Sequence, residues 1–187
     1  VCSVCGAEQT EVIYAAKTIK LSKTSMTYNG KKQKPSVTIT DAAGKRLKNG
    51  TDYKVTYPKK TQNVGKYTVT VTLKGNYTGT VKKTFTILPK NTAISKLTAS
   101  KNTVTVKWKK QTKQTAGYEI QYSTSSKFTK KTTKTVKAAK NSMTSKKITK
   151  LKAKKKYYVR IRTYQTVKVG KKSTKIYASW SKAKTVT

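Results

Sequence analysis

Catalysis needs a nucleophile, a base or a set of metal ligands in register, and this chain holds few of them. It contains no histidine, which removes the commonest general base and metal ligand near neutral pH. Its five acids, Glu8, Glu11, Asp41, Asp52 and Glu119, are scattered, so paired-carboxylate chemistry has little material. Serines and threonines are abundant, but without histidine no nucleophile–base dyad stands out. Cys2 and Cys5 have the spacing of half a zinc ribbon or a redox pair. Structural zinc takes four ligands, and the chain has no third cysteine. A redox pair belongs beside a βαβ unit, and the sequence shows no such pattern. The two cysteines are therefore read as part of a broken repeat whose partners lie upstream. No catalytic residue, metal site or cofactor is assigned, and the expectation is a chain that is not an enzyme.

The charge is the other chemical fact. Forty-four Lys and Arg stand against five acids, for a formal charge of +39. Only Arg46, Arg160 and Arg162 are arginines; the rest are lysines. Arginine is the usual choice for bidentate phosphate or base recognition, whereas a lysine surface is a diffuse, hydrated positive field. Such a field attracts polyanions without specifying one. The candidate polyanion-binding residues are the clustered lysines: Lys31 and Lys32, Lys59 and Lys60, Lys152 with Lys154, Lys155 and Lys156, and Lys171 and Lys172. Anionic glycans, phosphate-bearing wall polymers and anionic lipid headgroups all qualify, with steeply salt-dependent binding. Nucleic acid is disfavoured, because no recognition helix, stacking motif or arginine arm is visible.

Alternation dominates the elements that must carry this surface. Val69, Val71 and Leu73 alternate with Thr70, Thr72 and Lys74. Val104 and Val106 lead to Trp108. Tyr118, Ile120 and Tyr122 alternate with Glu119 and Gln121, and Tyr157, Val159 and Ile161 with Tyr158, Arg160 and Arg162. A period of two sends one set inward and the other to solvent, so Glu119 is expected to face water. The outward set is mostly lysine and threonine, which lets so basic a chain fold. Asn29-Gly30, Asn49-Gly50 and Gly75-Asn76 mark turns between the runs. The tract from Lys130 to Lys140 favours strand or loop, and no helix-length period appears. There is no apolar run long enough for a membrane span. The chain opens in mid-motif without Met and is read as a fragment of something longer. Pro89, after the run Thr84 to Ile87, breaks the pattern and places a domain boundary.

The second half, with Trp108 in VKWKK, GYEIQYS from Gly117 to Ser123, LKAKKKYYVRIRTY from Leu151 to Tyr164 and the ending YASWSKAKTVT, resembles a fibronectin type III domain. The resemblance implies that Trp108 packs between two sheets. It also implies a corner in which Tyr157 buries its ring and bonds back to the backbone near Leu151. The expected core is then Trp108, Tyr118, Ile120, Tyr122, Leu151, Tyr157, Val159 and Ile161. The first half, with MTYNGKKQKPSVTI, LKNGTDYKVTY, NVGKYTVTVTLKGNYTGTV and KKTFTIL, resembles a bacterial Ig-like surface repeat. There Asp52 is expected to bond turn amides and Tyr53 to pack. Some Gram-positive surface sandwiches carry Lys–Asn isopeptide bonds beside a buried carboxyl; a solvent-facing Glu119 would not serve one.

The expected fold is all-β, two immunoglobulin-like β-sandwich domains in tandem: a tail over 1–19, an Ig-like domain over 20–89 and a fibronectin type III domain over 90–187. The expected function is a non-catalytic structural or adhesive module of a bacterial extracellular or cell-wall-associated protein, partnered by anionic wall polymers or glycans and by other domains of the same chain. The alternative is an accessory segment of a larger secreted enzyme, such as a glycan hydrolase or peptidase.

Overall fold

Period-two patterning and β-branched side chains favour pleated strands, and strands are what form. The computed structural model describes residues 15–187, and every regular element among them is a strand. In the first half these are β1 (Ala16–Leu21), β2 (Ser25–Thr27), β3 (Val37–Asp41), β4 (Tyr53–Thr56), β5 (Gly65–Leu73) and β6 (Thr80–Leu88). In the second they are β7 (Ile94–Ser100), β8 (Thr103–Trp108), β9 (Gly117–Ser123), β10 (Thr133–Ala138), β11 (Ser145–Ile148), β12 (Tyr157–Val169), β13 (Lys172–Tyr177) and β14 (Lys184–Val186). The tract from Lys130 to Lys140 holds β10, as its Thr and Val content favours. No helix among the described residues is long and apolar enough to cross a membrane. Cys2 and Cys5 lie outside the described residues.

The chain divides into two compact units. One is built on Gln33–Thr61 and Tyr67–Phe85 together with the strand before residue 24. The other comprises Ser25–Lys32, Gln62–Lys66 and Thr86–Thr187. In the first unit β1 pairs antiparallel with β3, and β4 pairs antiparallel with β5, which neighbours β6. Ile39, Val69, Val71 and Phe85 are fully buried there, and Tyr67 stacks on Phe85 with centroids 5.4 Å apart. The acids of this unit serve the backbone. Asp52 accepts the Lys48 N–H at 2.7 Å across a turn, and Tyr53 is buried with its hydroxyl on the Val37 carbonyl. Asp41, itself buried, accepts the Lys45 N–H at 2.9 Å and the Tyr77 hydroxyl at 3.0 Å.

The second unit is a sandwich of two sheets. One has the order β11-β8-β7; the other has β10-β9-β12-β13, with β14 also on β12. Between them lie Trp108, Tyr118, Ile120, Leu151, Tyr157, Val159 and Ile161, all buried in one cluster with Val104, Val106 and Ile148. Tyr122 is half-buried against that cluster, its ring tilted over Tyr157 at 6.2 Å. Tyr157 forms the expected corner: the Lys152 N–H donates to its hydroxyl at 3.1 Å, five residues back along the chain. Tyr118 is fully buried and ties two loops. Its hydroxyl accepts the Gln111 N–H at 2.8 Å and donates to the Asn141 carbonyl at 2.7 Å.

Candidate anion-binding surface

All ten clustered lysines are exposed: Lys31, Lys32, Lys59, Lys60, Lys152, Lys154, Lys155, Lys156, Lys171 and Lys172. Their charge is not neutralised by acids among the described residues. Among the described residues the acids are Asp41, Asp52 and Glu119. The two aspartates face backbone amides, and the one ion pair joins Glu119 to Arg162. No described lysine has an acidic partner, so the field of the lysines is directed at solvent.

Folding sorts the clusters. Lys171 and Lys172 sit at the β12–β13 hairpin tip, with Gly170 supplying the positive φ that the turn needs. Lys156 lies over the Tyr158 ring at 5.5 Å. The corner after β11 does something more. Lys152 and Lys155 join Lys131, Lys134 and Lys150 around a cavity of about 490 Å³. Its apolar floor is Tyr122, Leu151 and Tyr157. On the other side of the corner Lys152, Lys154 and Lys155 line a second cavity of about 340 Å³ together with Lys101. The structure does not bring Lys31, Lys32, Lys59, Lys60, Lys171 or Lys172 into either.

Both walls of the five-lysine cavity are held by hydrogen bonds. Lys134 is the direct cross-strand partner of Tyr122 in the β9–β10 ladder, which places the two side chains on one face. The turn carrying Lys131 is pinned by hydroxyls: Thr132 shares hydrogen bonds of 2.8 Å with Ser123 and with Thr129, and the Ser125 N–H donates to Ser123 at 3.0 Å. On the corner, the Leu151 N–H donates to the Asn102 carbonyl at 3.0 Å. Burial, with the Tyr157 phenol adding to it, pushes the Tyr122 hydroxyl above the ordinary tyrosine range, so it remains a neutral donor beside the lysines. Lys131, Lys134 and Lys150 are not in the sequence clusters. The available signal was Leu151 and Tyr157, whose corner must fold residues 150–156 over the β9–β10 end.

Glu119 corrects the alternation argument. It is buried, not solvent-facing. The β9–β12 register sets Glu119 opposite Arg162 and Gln121 opposite Arg160. Arg162 donates through Nε at 3.0 Å and Nη2 at 2.5 Å to Glu119 Oε1. Arg160 donates likewise at 3.0 and 2.6 Å to Gln121 Oε1. Rings cover both guanidiniums. Arg160 lies 3.9 Å from the Phe128 centroid and 4.6 Å from Trp180; Arg162 lies 4.1 Å from Trp180 and 4.0 Å from Tyr177. Burial, then the nearby Glu119 charge, pushes the Tyr177 hydroxyl above the ordinary tyrosine range. Burial, then the neighbouring Arg162 charge, pulls Arg160 down. The outer face of this sheet is thus roofed by aromatic and guanidinium planes rather than by water. Glu119 is buried as a structural counter-ion to Arg162, not as a carboxyl beside a Lys–Asn pair.

This ladder is structural. Trp180 lies between β13 and β14, where the segment stays on the edge of β12 through Ala178 N–H to the Thr163 carbonyl at 3.0 Å and Ser181 N–H to the Ile161 carbonyl at 2.9 Å. Trp180→Ala removes a ring shared by two cations and is expected to cost about 2 kcal/mol, read as a shift in urea midpoint at unchanged slope.

Residues 88–179 match the family described as Fibronectin type III domain, and residues 17–91 match the MBG domain. No curated protein matches the chain. Among solved structures, the chain is similar to the FN1-FN3 domains of chicken CNTN1, at 13% identity and a TM-score of 0.40, covering 92% of this chain and 66% of that one. A two-domain fibronectin type III segment of chicken tenascin gives 17% identity and a TM-score of 0.42, covering 89% of this chain and 98% of that one. Domains A168-A170 of titin give 12% and 0.38, covering 90% and 64%. Both domain types are typically non-catalytic structural modules of extracellular proteins. The chain is all-β, two immunoglobulin-like sandwiches in tandem, with a segment similar to the MBG domain followed by one similar to the fibronectin type III domain.

Proposed function

We propose that the chain is a non-catalytic structural and adhesive module of a bacterial extracellular or wall-associated protein, held by its lysines in a layer of anionic wall polymer or glycan. The observation that carries this reading is the internal use of every acid among the described residues. Asp41 and Asp52 close turns and Glu119 holds Arg162, while no described lysine is ion-paired. A fold that needed only solubility would intersperse both signs on its surface. Here the net charge of +39 is left to an external counter-ion. Releasing small counterions from a polyanion on contact supplies the free energy, and the association weakens as salt rises.

The test is co-sedimentation with purified Gram-positive walls, before and after chemical removal of their anionic polymers. Binding is expected to fall at least about tenfold on stripping, and about a hundredfold between low and physiological salt. Retention that survives high salt, or that ignores stripping, would refute the electrostatic reading.

A further inference from the structure

We propose that the cavity formed by Lys131, Lys134, Lys150, Lys152 and Lys155 over Tyr122 and Tyr157 is a localised site for a base-free, phosphodiester-linked polyol or sugar chain. This rests on the reading of the chain as a polyanion-held module and goes beyond it, because a diffuse field needs no particular lysine. Three observations carry the site. First, lysines far apart in sequence converge on one cavity of about 490 Å³ from two hydrogen-bonded walls, so binding does not have to order the loops first. Second, the cations are all lysines. The three arginines are elsewhere, and two of them are committed to Gln121 and Glu119. An ammonium binds a phosphate oxyanion as a point charge, without the fork that fixes one orientation, which suits a flexible chain whose phosphates present no fixed geometry.

The third observation is backbone conformation. Four non-glycine residues have positive φ, and two are corner lysines: Lys150 at 59° and Lys154 at 55°. Lys150 lines the five-lysine cavity. Glycine or asparagine would take that conformation at less cost. A lysine kept in such a backbone next to a basic cavity indicates a use for its side chain there. The tyrosines argue against nucleic acid: Tyr157 is buried and Tyr122 tilts over it, so neither ring stands free to stack a base. Their edges and the Tyr122 hydroxyl instead suit the C–H and O–H groups of a polyol.

The experiment is calorimetric titration of the full chain with poly(glycerol phosphate), with oligothymidylate of equal charge and with a sulfated glycan of equal charge. The variants are K131Q/K134Q/K155Q and, as a control of equal charge loss on exposed lysines outside the cavity, K96Q/K107Q/K168Q. For poly(glycerol phosphate) the cavity triple is expected to weaken binding about 30-fold and to flatten the log–log salt slope by about 2, the control by less than about threefold. Lys150→Gly guards against misfolding: it is expected to melt no lower than the parent and yet to bind about fivefold more weakly. Equal losses from both triples would overturn the site and leave the diffuse reading standing; no binding of any polyanion by the parent would sink both. Tighter binding of oligothymidylate or of the sulfated glycan, lost in the cavity triple, would overturn the assignment of the chain's chemistry.

Discussion

Glu119→Ala is expected to destabilise the second unit by about 3 kcal/mol, near the lower end of the cost of breaking a buried ion pair. Glu119 is 5% exposed, and both donated bonds from Arg162 converge on one of its oxygens. Deleting it leaves the guanidinium between Trp180 and Tyr177 without its counter-charge, and Glu119 is the only acid in the sequence of the second half. Glu119→Gln keeps the shape and an oxygen for Arg162 while removing the charge, so about 1 kcal/mol is expected. The double variant Glu119→Met with Arg162→Met should recover much of the alanine loss, because the cost lies in the unpaired charge. Both tryptophans, Trp108 and Trp180, lie in the second half, so fluorescence-detected denaturation reports on this unit alone. A loss below about 0.5 kcal/mol for the alanine variant would restore Glu119 to the solvent, where alternation first put it.

That residue shows what patterning could and could not reveal. The runs at 69–73, 104–108, 118–122 and 157–161 were legible as strands because a period of two is local. Their inward members, from Val69 to Ile161, are buried, except Leu73 and Tyr122, which are half-buried. The rule also assigns the other face to water, and this holds only where nothing covers the sheet. On β9 the pattern of burial is nearly continuous, because Phe128, Tyr177 and Trp180 arrive from outside the strand pair. Two of the chain's three arginines stand two apart on one strand, Arg160 and Arg162, across from the only acid of that half. Those compositional oddities were the available sign of a covered face. The basic cavity was less legible still. Adjacent lysines diverge on a strand or corner, while Lys134 and Lys150 meet only through the fold. Runs such as Lys59-Lys60 therefore drew attention, and Lys131 did not.

Gly117→Ala should be as costly as Glu119→Ala, again about 3 kcal/mol, for a reason unrelated to backbone freedom. Gly117 does not have positive φ; alanine could adopt its conformation. Space forbids it. A Cβ there would stand 2.4 Å from the Ala138 carbonyl oxygen and 2.8 Å from the Tyr164 hydroxyl. Gly117 opens β9, paired with Tyr164 on β12, and Tyr118 next to it pairs with Ala138 on β10. The strand is thus held from both sides where the methyl must enter. Tyr164→Phe in the same chain removes only the softer clash, so the double variant should regain a minority of the loss, about 1 kcal/mol at most. The backbone carbonyl is fixed by the β9–β10 ladder and cannot give without parting strands. Gly170→Ala supplies the contrast. That glycine has φ of 62° and nothing within 4 Å, so its substitution meets only conformational strain, about 1 kcal/mol. Urea midpoints followed by tryptophan fluorescence should rank Gly117→Ala well below Gly170→Ala. The reverse order would mean that β10 yields at Ala138, and with it that the Tyr118 hydroxyl, bonded to Gln111 and Asn141, does not hold this edge as the geometry requires.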